Sequence, residues 1–325
     1  MRHLGAPARI FARSSGGRID FSEHTDPDHH VFGDGERLAD WRRRNAEFQR
    51  MTTALTGASG YVGSILAQEI ADIGPLVKLL RRPDGADGAY WSFDQNEEQT
   101  ADLLVQHGVR NLVHAAWDMR TADRNEAEAT CVQGSLRLLR AARRAGVKRV
   151  IFISTISAFD DAKSIYGQTK REVERATLAE GGVVLRLGLV HGDGEGGMFG
   201  ALRKSVKQSR IVPIIGLGRR PQFLLEDARL RHAVRVALSG QLDGAGAPIT
   251  LAAPEPIPFR DVLERIAKQE GRKIILAPIP WPALYGGLLL AERLGVKAPV
   301  RSDSVISFIY ANPAPDFSMA ERFGV

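Results

Sequence analysis

The sequence predicts an α/β protein built on a doubly wound parallel sheet, with a smaller substrate-binding part at its C-terminal end. Three observations carry that prediction. From Thr52 onward, short apolar runs alternate with longer amphipathic stretches, the rhythm of strand–helix–strand units that cover both faces of a parallel sheet. After Val190 the rhythm loosens into segments punctuated by Gly and Pro. At 325 residues with a single cysteine, Cys131, the chain is long enough to bury a large core and has no disulfide framework to lean on.

Residues 1–50 differ in kind from the rest. They hold nine basic and eight acidic residues, and their apolar residues are too scattered for a strand or a helical stripe, except over Glu36 to Arg50. They are expected to be a disordered extension or an over-long start before Met51, with a regulatory or oligomerising arm as the alternative. Residues 51–190 are expected to form the sheet domain and 191–325 mainly the substrate-binding part.

Strands are predicted at Thr53–Thr56, Leu76–Leu80, Asn111–Ala115, Arg149–Ser154 and Val183–Leu187. The longest helical pattern runs from Glu126 to Ala145, with Leu136, Leu139 and Ala142 on one face. Further helices are expected near Phe199–Gln208, Glu226–Leu238 and Phe259–Gly271.

The net charge of +6 comes from 44 basic and 38 acidic residues spread along the whole chain. No basic run interleaves with aromatics, so no nucleic-acid partner is expected. The most apolar windows, Ile274 to Ile279 and Ala283 to Ala291, are too short to span a bilayer. No charged-then-apolar leader opens the sequence, and Cys and His do not cluster at zinc spacing. The expectation is a cytoplasmic protein without a membrane partner and without a metal, whose redox chemistry, if any, comes from a bound cofactor.

The strongest local signal is Thr56-Gly57-Ala58-Ser59-Gly60-Tyr61-Val62-Gly63, which follows an apolar strand and opens a helix. Glycines at 57, 60 and 63 let the backbone turn sharply and let a pyrophosphate approach the helix N-terminus, where free N–H groups and the helix dipole favour an anion. This is the phosphate turn of a Rossmann domain, or a glycine-rich turn serving structure alone. The second strand ends Leu80-Arg81-Arg82, with no acid until Asp84. A basic pair there suits an adenosine 2′-phosphate, which favours NADP, with NAD as the alternative and an ordinary solvated loop as the bland reading.

Tyr166-Gly167-Gln168-Thr169-Lys170 sets a phenol and an ammonium four residues apart, on one face if the segment is helical. A phenol ionises near pH 10, at about the model-peptide value, and is a poor base at neutral pH. A neighbouring ammonium is expected to bring it nearer the working range, so that it can carry a proton at a carbinol oxygen while hydride moves at the adjacent carbon. Thr155, ending the preceding strand, is the candidate to hold that oxygen, with Ser154 and Ser157 as competitors.

The order TGASGYVG, LVHAA, VIFIST, YGQTK, LRLGLVHG resembles the extended short-chain dehydrogenase/reductases, the NAD-dependent epimerase/dehydratase family, over about residues 51–240. The resemblance implies that Gly57, Ser59, Gly60, Tyr61 and Val62 bind the pyrophosphate, that Asp94 lies beside the adenine, and that Ala115 and Ala116 line the cofactor cleft. It implies catalytic roles for Thr155, Tyr166 and Lys170, with Lys170 also bonding the nicotinamide ribose, and a homodimer through helices 126–145 and 164–178. Arg220 matches an arginine that grips a sugar-nucleotide diphosphate. The sequence departs from the family where Cys131 replaces an asparagine, where Leu189 replaces another, and where Tyr166 follows Thr155 by only 11 residues.

The leading expectation is therefore an NADP-linked reductase, epimerase or dehydratase of a nucleotide sugar. A reductase of small apolar aldehydes or ketones is the alternative, motivated by Trp117, Leu189 and the apolar stretch Trp281 to Leu290. A non-catalytic dinucleotide sensor is the third reading, and the intact Tyr166/Lys170 pair counts against it.

Overall fold

The computed structural model describes residues 51–325 other than 84–86, 120–122, 193, 195 and 297–299. The expectations for residues 1–50 and for Asp84 lie outside these.

The chain begins with β1 (Thr52–Thr56), α1 (Tyr61–Ile73), β2 (Leu76–Leu80) and β3 (Gly88–Tyr90), followed by α2 (Glu97–Gln106) and β4 (Val109–His114). A continuous helical stretch comes next, made of α3 (Arg124–Ala127), a π-helical turn (Glu128–Val132) and α4 (Gln133–Arg144). It leads to β5 (Arg149–Thr155), α5 (Ile165–Ala179), β6 (Val183–Leu187) and β7 (Leu189–His191). The C-terminal part comprises α6 (Gly197–Gln208), β8 (Ile211–Ile215), β9 (Pro221–Gln222), β10 (Leu224–Glu226), α7 (Asp227–Leu238), β11 (Ile249–Leu251) and β12 (Ile257–Pro258). It ends with α8 (Phe259–Gln269), β13 (Ile275–Ile279), α9 (Trp281–Arg293), α10 (Ser302–Ile309) and α11 (Ser318–Phe323).

The main sheet has seven parallel strands in the order β3-β2-β1-β4-β5-β6-β11. This is the doubly wound arrangement, and the strand order reverses between β1 and β4, the place where such sheets bind ligands beyond their C-terminal edges. Leu55, Leu112, Val113, Ile151, Phe152 and Leu185 are fully buried on these strands because helices cover both faces. The two-faced burial explains why the strands read as apolar runs and not as alternating patterns.

The seventh strand, β11, comes from beyond residue 190 and pairs with β6 from Ile249↔Leu185 to Leu251↔Leu187, so the C-terminal part also completes the sheet. A smaller core of Val206, Val212, Ile214, Val262, Leu263 and Ile266 binds α6, α8 and the β8–β13 pair together. The helix predicted over 126–145 is interrupted by the π-helical turn, which holds buried Cys131. Such one-residue insertions recur at functional sites, and here the turn packs against α5.

Candidate active site

The turn after β1 is fitted to a close-approaching ligand. Gly57 has φ +75°, and a Cβ there would sit 2.6 Å from the Ala116 nitrogen; a Cβ on Gly63 would meet the Gly57 carbonyl oxygen at 1.9 Å. Glycine is thus required at both positions, once by backbone conformation and close approach and once by helix-to-turn packing. Helix α1 starts from Gly60, which lines the cleft, with no side-chain cap on its first N–H groups, the arrangement that suits an anion. The cleft itself, of about 200 Å³, is lined by Gly57, Ser59, Gly60, Arg81, Ala115 and Ala116, among others. A nicotinamide dinucleotide's pyrophosphate fits this donor set.

A buried hydrogen-bond chain stiffens the floor of the cleft. Thr56 Oγ1 accepts the N–H groups of Ala115 and Ala116, each at 3.1 Å, so its own proton goes to His114 Nδ1 at 2.7 Å. That makes Nδ1 an acceptor, and His114 Nε2–H donates to Ser135 at 2.8 Å. Burial first, with the nearby Lys170 charge second, pushes the His114 pKa down to about 3, which keeps the ring neutral as the network requires. The sequence gives no hint of this arrangement, because its members come from β1, β4 and α4.

Other cofactor candidates fall at different distances from the cleft. Arg81 lines it and Arg82 does not, and both are exposed. Asp94 is exposed and reaches the cleft only through Ser92, which lines it and donates a hydrogen bond to the Asp94 carboxylate. Tyr61 and Val62 form the first turn of α1, and the Tyr61 ring lies against Gly194, Gly196 and Gly197 and not in the cleft lining.

A second cavity, of about 330 Å³, adjoins the first; Trp117 and Asp118 line both. Thr155 from the end of β5 and Tyr166 from the first turn of α5 face it together, and the Tyr166 phenol hydrogen-bonds the Thr155 side chain. Of the two competing serines, Ser154 is buried with its hydroxyl unpaired and away from the cavity. Ser157 lines the cavity and accepts from Ser307 at 3.1 Å. Helix α5 starts at Ser164, whose hydroxyl caps the Gly167 N–H at 3.1 Å, while Gly167 itself is required because a Cβ would fall 2.2 Å from the Ser157 carbonyl.

Lys170 lies one turn behind Tyr166 and lines neither cavity. Its Nζ donates to the Ile153 carbonyl at 2.6 Å and sits 4.4 Å from the Trp117 ring centre, 4.6 Å from Phe152 and 5.9 Å from Tyr166. Burial brings its pKa down to about 7. The expected tuning of the phenol by this ammonium is not what governs the site: burial raises the Tyr166 pKa to about 12, and the Thr155 hydrogen bond offsets only part of that. The physical reason is desolvation: Lys170 is buried among aromatic rings and Tyr166 is half-buried in the cavity wall, so neither charged form is favoured.

Leu189 and Trp117 line the second cavity, but Arg220 does not. It is exposed, and the cavity wall begins at the next residue with Pro221, Gln222 and Phe223. Sequence reading missed the opposite wall, made by Arg301, Asp303, Ser304, Ser307, Phe308 and Asn312. These residues belong to or flank a short C-terminal helix with no motif to mark it.

The family model for the NAD dependent epimerase/dehydratase family matches residues 53–219, which hold the glycine turn, Thr155, Tyr166 and Lys170. The chain belongs to this family. Its members are enzymes of the short-chain dehydrogenase/reductase type, and this chain is one of them. A 3 beta-hydroxysteroid dehydrogenase/Delta 5-->4-isomerase of Mycobacterium tuberculosis is 24% identical over 312 residues, covering 82% of this chain and 84% of the relative. A ceramide reductase of Caulobacter vibrioides is 25% identical over 189 residues, covering 55% and 59%. Among solved structures, the UDP-glucose 4-epimerase of Thermus thermophilus in complex with NAD superposes with a TM-score of 0.61 at 19% identity, over 79% of this chain and 97% of that one. Among the described residues of this family member, no helix is long and apolar enough to cross a membrane.

Proposed function

We propose that the protein is an NADP-linked oxidoreductase acting at a hydroxyl or carbonyl carbon of an apolar small molecule, with Tyr166 as the proton carrier. The observation that carries this reading is the composition of the cavity around Thr155 and Tyr166. Apolar groups, those of Trp117, Met119, Leu187, Leu189, Phe223 and Phe308 among them, supply most of its wall, and Arg301 is the one cationic side chain among its described lining residues. Arg301 is itself paired with Glu292 at 2.9 Å. A nucleotide diphosphate would need an unpaired cation aimed into the cavity, and the Arg220 proposed for that role is outside it. The names of the steroid-dehydrogenase and ceramide-reductase relatives support an apolar substrate, and the nucleotide-sugar epimerase likeness at 19% identity supports the fold alone.

Hydride transfer is the chemistry the bound dinucleotide supplies. The chain's own part is to hold the substrate oxygen between the Thr155 and Tyr166 hydroxyls and to move one proton. With the phenol pKa raised to about 12, Tyr166 is protonated at neutral pH and poised to donate to the oxygen of a carbonyl as its carbon is reduced. Arg81 in the cleft wall supports NADP over NAD.

Turnover and thermal-shift measurements with NADPH or NADH against a panel of apolar ketones, long-chain carbonyls and nucleotide sugars test the reading. NADPH consumption with an apolar carbonyl is expected, and saturating ligand at a hundredfold over its Kd should stabilise by about 2.7 kcal/mol. Turnover of nucleotide sugars alone overturns it.

A further inference from the structure

We propose that Asp303 is a positioning residue for Tyr166, fixing the catalytic helix from a C-terminal helix some 137 residues away in sequence; this rests on the assignment of Tyr166 as proton carrier. Asp303 Oδ1 accepts the Ile165 N–H at 2.8 Å and Oδ2 accepts the Tyr166 N–H at 3.0 Å. Ser164 takes the next N–H, that of Gly167. The first three N–H groups of α5, which a helix leaves without intrahelical partners, are thus all satisfied, two of them by a single carboxylate.

A helix start that needed only capping has Ser164 already in place. The added carboxylate bonds the backbone of the very residue whose phenol faces the substrate cavity, and its own side chain lines that cavity. The element that carries it is tied down twice more. Ser307 donates to Ser157 at 3.1 Å across the cavity rim, and Glu292 accepts both the Ser302 N–H at 2.8 Å and its hydroxyl at 2.7 Å. Helix α10 therefore acts as a strap that sets where the phenol stands relative to Thr155, and it forms the substrate wall with the same residues. A substrate that pushes on Ser304, Ser307 or Phe308 acts on the catalytic helix through Asp303.

The test compares Asp303→Ala and Asp303→Asn with the parent full-length protein, by NMR of ring-labelled tyrosine and by steady-state kinetics. The sequence has five tyrosines, and loss of one resonance in Tyr166→Phe assigns the signal. In Asp303→Ala the Tyr166 resonance is expected to shift and broaden while the fold and cofactor affinity stay intact, and kcat to fall on the order of tenfold with KM changed less. Asp303→Asn, which keeps one acceptor, should recover part of both effects. An unmoved Tyr166 resonance, or a rise in KM with kcat unchanged, overturns the proposal and leaves Asp303 a wall residue. Because the NMR signal needs no substrate, it separates failure of this inference from failure of the catalytic reading, which would show instead as a fully active Tyr166→Phe protein.

Discussion

Replacing Lys170 by methionine should make the cofactor-free protein more stable. Lys170 is 3% exposed, and burial takes its pKa from 10.5 down to about 7. The unfolded chain keeps its proton up to the higher value, while the folded chain releases it near the lower one. Between pH 7 and 10.5 the unfolded state thus binds more protons, so this lysine's contribution to stability rises with pH across that window and its penalty is complete below pH 7. A fall from 10.5 to about 7 corresponds to about 5 kcal/mol of destabilisation below pH 7. Methionine has similar length, fills the same space and carries no charge. It leaves the Ile153 carbonyl without its donor, at a cost of about 1–3 kcal/mol. The net expectation is a gain of roughly 2–4 kcal/mol, or a Tm higher by roughly 5–10 °C. Differential scanning calorimetry of both proteins without cofactor, at about pH 6 and about pH 10, reads the gap; it should be wide at the first and shrink toward the second. A variant that melts at or below the parent at the lower pH, or a gap equal at both, would refute the account of a desolvated ammonium.

Tyr166→Phe should leave dinucleotide affinity within a fewfold and lower kcat on the order of a hundredfold or more; near-full activity would remove the phenol from the mechanism. Arg81→Ala should weaken NADP binding far more than NAD binding in titration calorimetry, and equal losses would assign the arginine to general electrostatics. Gly63→Ala places a methyl 1.9 Å from the Gly57 carbonyl oxygen, so the turn must shift. A stability loss of about 1–3 kcal/mol and dinucleotide binding weakened on the order of tenfold are expected, and unchanged affinity would show that the turn does not hold the pyrophosphate.

Much of the sheet domain is legible in the sequence because each of its signals is local. The predicted strands Leu76–Leu80 and Val183–Leu187 match the structure to the residue, since each is an apolar run broken by one half-buried basic residue, Lys78 or Arg186. The glycine turn is legible for a similar reason: a left-handed Gly57 and a helix start pressed on it admit few other residues. The four-residue spacing from Tyr166 to Lys170 puts both side chains on one face of α5, as helical geometry requires. The short strands β7, β9, β10 and β12 carry no such signal, being two or three residues long and paired only through tertiary contacts.

The sequence by itself determined that a dinucleotide turn, a hydroxyl, a phenol and an ammonium follow one another along a doubly wound chain, because backbone geometry and helical spacing act over a few residues. Tertiary structure alone decided what surrounds them. It enclosed Lys170 among aromatic rings, so that desolvation and not mutual charge sets its pKa and that of Tyr166. It left Arg220 exposed one residue short of the cavity wall. It also brought Asp303 to the first N–H groups of the catalytic helix, a contact between residues 137 and 138 positions apart that no local pattern encodes, because burial and long-range hydrogen bonds depend on which elements the folded chain packs together.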